Sequence, residues 1–130
     1  MADEHPNIAL LQRVDLRDIA SAKDVFAEDV VWHYFNPRLP ELEGDYVGLE
    51  GLASFFEKMG SKTGGAFRVE PVSITAAGDA LVVTHVRDSM TLDGQDIVVD
   101  AVVVWRFADG RIAEAWDIPA ADAARVVSRQ

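Results

Sequence analysis

Trp105-Arg106-Phe107-Ala108-Asp109-Gly110-Arg111-Ile112-Ala113-Glu114-Ala115-Trp116-Asp117 places two extended runs on either side of a glycine-containing reversal, and this hairpin decides the fold. Ala77-Gly78-Asp79 and Asp93-Gly94 repeat the reversal upstream. Residues from Phe67 onward therefore read as four sequential antiparallel strands, about 67–76, 80–91, 96–107 and 111–118. Before them the period is helical. Pro6 suits a first helical turn, and Ile8, Leu11 and Val14 recur at three-residue spacing, with Leu10 widening the stripe. Asp18 reads as the cap of a second helix that turns Ile19, Ala22, Val25 and Phe26 inward. The β-branched and aromatic run 30–34 reads as a short strand. After a proline-containing loop, the run 49–59 is a third amphipathic helix. Pro119 begins a final helical segment over 120–127. The expected fold class is α+β, a single domain over 1–130 with a curved antiparallel sheet packed on N-terminal helices.

Composition narrows the function. With 12 basic against 22 acidic side chains, a net charge of −10 offers no face for binding phosphates, so no nucleic-acid partner is expected. Cysteine is absent, which excludes a thiol nucleophile and thiolate zinc sites. The opening lacks a basic segment followed by an apolar run, and no stretch approaches a membrane span of about 20 apolar residues. A cytoplasmic protein with no membrane partner is expected.

The turns also set a register. A two-residue hairpin at Asp93-Gly94 puts Arg87 opposite Asp100 and Thr84 opposite Val103. A three-residue turn at 108–110 puts Val103 opposite Ala115 and Ala101 opposite Asp117. One face then carries Thr84, Val86, Ala101, Val103, Trp105, Ala113, Ala115 and Asp117, and the other Arg87, Asp100, Arg106, Glu114 and Trp116. The first face is small and apolar, so it is the covered one, and Asp117 is its exception. A carboxylate there reaches solvent, finds a donor or holds a raised pKa; a two-residue turn at 109–110 would instead shift the pairing by one, and a cap on the final helix is the plain alternative.

The segments FAEDVVWH (26–33), GDYVGLEG (44–51), TGGAFR (63–68) and WRFADGRIAEAWD (105–117) resemble the SnoaL-like branch of the nuclear-transport-factor-2-like superfamily, which also holds ketosteroid isomerases. The resemblance implies a cone-shaped fold, a strongly bent sheet wrapped around helices and enclosing a deep apolar pocket. In ketosteroid isomerases an aspartate just after the first strand is the base, and a tyrosine and a protonated aspartate form the oxyanion hole. Here Tyr34 stands at the base position and Val103 near the oxyanion aspartate, so that mechanism is not implied. SnoaL-type polyketide cyclases use an aspartate of the last long strand as acid/base, and Asp117 matches that place. Epoxide hydrolases on this scaffold use an Asp-Arg-Asp set; Asp100, Arg87 and Asp117 have the right types, but the register puts the first two on the outer face.

The candidate acid/base residues are Asp117 and His33, a histidine titrating near neutrality that also fits a structural role. Alternation puts Trp32 and Tyr34 on the pocket side and His33 on the other. Tyr46, Phe56, Val86, Val103 and Trp105 complete the expected ligand contacts, with Phe55 and Met59 as core. His5, His33 and His85 have no metal-ligand spacing, and no phosphate loop or serine elbow is present, so neither metal nor cofactor is expected. The expected ligand is a small hydrophobic carbonyl compound. The half-apolar outer face, with Val102, Val104 and Trp116, suits a homodimer.

Overall fold

The computed structural model describes residues 5–128. The first four residues, part of the opening read as lacking a leader, lie outside them. Seven strands form one sheet: β1 Phe26–Tyr34, β2 Gly44–Val47, β3 Arg68–Ala77, β4 Leu81–Leu92, β5 Gln95–Ala108, β6 Arg111–Pro119 and β7 Arg125–Ser128. Their order is β2-β1-β6-β5-β4-β3, with β7 on β5. The four expected strands are present as sequential antiparallel neighbours. The sheet is mixed, however, because β1 runs parallel to β6. The fold is α+β, with helix α2, Gly48–Lys62, laid across the concave face.

The β4–β5 register is the one expected, Thr84 opposite Val103 and Arg87 opposite Asp100. At β5–β6 the turn is one residue shorter than expected: Ala108 pairs Arg111, leaving Asp109 and Gly110 as the only turn residues, both at positive φ (55° and 76°). That is the two-residue geometry which twists with its strands. Alone it would carry Asp117 to the outer face. The register instead slips once more, from Phe107 opposite Ile112 to Arg106 opposite Glu114, with Ala113 as the extra residue of a β-bulge. Two one-residue shifts cancel in parity. Asp117 therefore faces inward, opposite Val103 where Ala101 was expected, and Ala115 lies opposite Trp105.

Other elements differ from expectation for identifiable reasons. α1 covers only Pro6–Leu11, so Val14 packs from a loop. The second helix is a 3-10 segment, Ile19–Val25, broken at Ala22 (φ −129°). Phe26 already opens β1, because Ile112 of β6 lies beside it. The proline-containing loop read between 34 and 49 ends in a strand: Gly44 and Asp45 begin β2, paired antiparallel to β1. α2 approaches β2 closely enough that a Cβ on Gly51 would sit 3.1 Å from the Tyr46 backbone, so any side chain there would require that backbone to give by a few tenths of an ångström. The final helical segment is a 3-10 turn, Ala121–Ala123, followed by β7; Pro119 ends β6, and extended pairing to β5 satisfies the backbone beyond it. No described helix is long and apolar enough to cross a membrane.

Candidate active site

Asp117 sits on the concave face between Tyr34 of β1 and Val103 of β5, with 8% of its surface exposed. The turn after β6 is capped by no side chain, so the helix-cap role for Asp117 falls with the helix. Burial holds its carboxyl well above the usual carboxylate range, and the Asp88 charge pushes it further. No hydrogen bond offsets that rise among the described residues. Burial without a hydrogen-bond partner favours the protonated form of such a carboxyl.

Asp88 belongs to the same interior and was missing from the expected site. It is also 8% exposed, its Oδ1 is buried without a hydrogen-bond partner, and burial, aided by the Asp100 charge, raises it to about 7. The Asp88 charge raises both Asp117 and Tyr34. The inward series Val82, Thr84, Val86, Asp88, Met90 was the available signal; the expected face stopped at Val86, one strand period short. The inward positions of β4, β5 and β6 hold no basic side chain. The Tyr34 hydroxyl accepts a 2.8 Å bond from Asn36 Nδ2, and burial pushes its own pKa upward.

Beside these groups lies an open cavity of about 1170 Å³ between the 11–19 segment, α2 and strands β3 to β5. Of the residues read as ligand contacts, Phe56, Val86 and Trp105 lie on its wall. Trp32, Tyr34, Tyr46, Val103 and Asp117 are not on its wall. Trp32 stands one layer behind, with its ring centroid 5.3 Å from Phe56 and 5.4 Å from Trp105, and its Nε1 is buried without a partner. Tyr46 packs on Phe55 and donates its hydroxyl to the Leu42 carbonyl at 2.6 Å. Thr84, on the wall, is separated from Asp117 by Val103 alone, two strand spacings or about 10 Å of sheet.

His33 is on the outer face, remote from this interior. Its Nδ1 bonds Asp45 at 2.7 Å and its Nε2 bonds Glu114 at 2.6 Å, while the ring stacks on Trp116. Burial lowers its pKa, but the two carboxylate bonds outweigh that and raise it overall. Both ring nitrogens are engaged by carboxylates, so the ring ties β1 to β2 and β6 on the face away from the cavity. Arg106 extends the network on Glu114. His85 and Arg87 likewise meet Asp100 outside the cone, so the Asp-Arg-Asp set does not assemble around Asp117. Among the described residues no group of three metal-ligating side chains comes together.

A family model matches most of this mixed, curved sheet and its long helix: residues 8–115 fit the SnoaL-like domain, and Asp117 lies two residues past the end of the match. The chain belongs to that family. No curated protein matches it. Similar solved structures include TerC co-crystallized with polyporic acid (27% identity, 87% of this chain and 90% of that one, TM-score 0.75). An NTF2-like protein of unknown function from Burkholderia pseudomallei K96243 superposes with 22% identity over 90% of each chain and a TM-score of 0.74. A putative SnoaL-like polyketide cyclase from Jannaschia sp. CCS1 does so with 16% identity over 95% and 94%, TM-score 0.73. The last two bear on the fold alone.

Proposed function

We propose that the protein binds a small hydrophobic carbonyl compound and moves a proton on it, in an isomerisation, dehydration or ring closure, with Asp117 as the acid/base. The observation that carries this reading is an inward, buried carboxyl with a raised pKa and no hydrogen-bond partner, on the apolar face that borders the cavity. Asp88 is a second inward carboxyl, raised by burial like Asp117, and the charge of one disfavours ionisation of the other, so the two together can hold and pass a proton. A ligand on the cavity floor reaches the pair by extending past Val103. The presence of polyporic acid with TerC agrees with a scaffold open to apolar oxygenated molecules.

A second reading, non-catalytic binding, is favoured by one fact: Asp117 is absent from the cavity wall. Hydrogen–deuterium exchange beside the carbonyl of a panel of hydrophobic ketones separates the two. Acceleration by the wild type that Asp117→Asn loses supports proton transfer. Saturable binding with no accelerated exchange leaves a binding module.

A second copy is the proposed cover of the outer face. Val102 and Ile118 are exposed there among half-buried Val104 and Trp116. Arg87 and Arg106 alternate with Asp100 and Glu114, a mixed-sign surface suited to a two-fold contact with itself. Sedimentation is expected to show a dimer that Val102→Glu converts to a monomer. A wild type that stays monomeric at high concentration rejects this cover.

A further inference from the structure

Two guanidinium groups stand at the rim of the cavity, and proton transfer at Asp117 uses neither. Arg17 comes from the segment between α1 and the 3-10 turn, and Arg68 opens β3. Arg13, Arg87 and Arg106 each sit against a carboxylate, on Asp24, Asp100 and Glu114. Arg17 and Arg68 form no ion pair among the described residues. Arg68 is nevertheless held in place: its Nη1 donates to the carbonyls of Phe67 at 2.9 Å and Gly65 at 3.1 Å. Those bonds fix the planar group and leave its other N–H donors for a ligand.

The rim also carries Asp15 and Glu57. The Asp15 Oδ1 accepts the Arg17 backbone N–H at 2.9 Å, which occupies it locally. With two cations and two anions the rim is neutral, in a chain whose net charge is −10. An approaching anion therefore meets less repulsion here than over the protein as a whole. Below the rim the floor is apolar, from Leu11 and Ile19 on one side to Val86 and Trp105 on the other. At about 1170 Å³ the trough exceeds the roughly 300 Å³ at which small-molecule sites begin, so a head group at the rim leaves ample room for an extended apolar body.

We propose that the cavity takes an amphipathic organic anion, its carboxylate on Arg17 and Arg68 and its apolar body along the floor. This rests on the reading of the cavity as a ligand site and is independent of catalysis by Asp117. The head group at the rim would fix which end of a ligand points toward the interior carboxyls.

Titration of the wild type with decanoate and with 1-decanol, followed by the fluorescence of cavity-lining Trp105 and by calorimetry, tests it. Decanoate is expected to bind saturably, at least tenfold more tightly than decanol, and more weakly as salt rises. The double variant Arg17→Gln/Arg68→Gln is expected to lose that tenfold preference while binding decanol unchanged, and Arg13→Gln, whose partner lies off the cavity, to behave as wild type. Equal binding of decanol and decanoate, or a double variant that still prefers decanoate, overturns the anion site and leaves an apolar ligand site standing. Failure of both probes to bind overturns the anion site and the ligand-site reading together.

Discussion

Asp117→Asn is expected to leave a more stable and less active protein. In the exchange assay the loss is about 10² to 10⁴-fold, the contribution of a placed proton donor or acceptor. Stability moves the other way above neutrality. An acid whose folded pKa is raised holds in the native state a proton that the unfolded chain releases, so its contribution is full below the unfolded value and is lost as pH rises through the folded one. For Asp88 that window runs from 3.8 to about 7. Roughly three pK units correspond to a loss on the order of 4 kcal/mol across it. Asp117 shifts in the same direction, so its contribution is likewise lost as pH rises. Asparagine keeps the shape of a neutral carboxyl and cannot ionise. Urea midpoints at pH 4 and pH 8 are thus expected to be similar for Asp88→Asn and wild type at the acid end. At pH 8 the variant is expected to be higher by several kcal/mol, with Asp117→Asn showing the same sign. An unchanged pH slope in both variants would mean that these carboxyls are solvated and ionised, and the acid/base reading would lose its basis.

Phe55→Ala is expected to be the most damaging single truncation of the core. The ring is 1% exposed and meets four others: Tyr34 at 4.7 Å, Phe56 at 4.9 Å, Tyr46 at 5.1 Å and Trp32 at 5.6 Å between centroids. Emptying a buried phenylalanine site costs about 3–5 kcal/mol, because surrounding side chains relax only in part. A domain of this size holds on the order of 5–15 kcal/mol in all, so the variant would be marginal, its Tm lowered by about 10–20 °C. Phe55→Leu keeps most of the volume and is expected to cost less than half as much in thermal unfolding. A loss under about 1 kcal/mol for Phe55→Ala would show that the aromatic cluster tolerates collapse around the gap.

Much of this interior is legible in the sequence, and the reasons are local. Asp93-Gly94 fixes the β4–β5 register, and strand alternation then delivers Thr84, Val86, Val103 and Trp105 to one face. Asp88 follows from the same alternation once the series is run to the end of β4. Trp32 and Tyr34 fall inward by the same rule, which also turns His33 outward. What the sequence does not carry is long-range pairing. Nothing in four residues of β2 announces a strand until β1 lies beside it, and nothing around Arg125 marks β7 apart from its place on β5. The partners of His33 are remote: Asp45 comes from β2 and Glu114 from β6, so its occupation by two carboxylates is a product of topology. The bulge at Ala113 has no sequence signature either, since alanine fits either pleat.

That bulge couples the length of the β5–β6 hairpin to the identity of the interior. Losing one residue at Asp109-Gly110 or at Ala113 reverses every side chain from Glu114 to Ile118, whereas a change at both sites restores them. Relatives that differ by a single residue in this hairpin should therefore show a matching gain or loss at the other site. An alignment that places a gap in the turn without looking for its counterpart in the strand would set Trp116, on the outer face, against the inward aspartate.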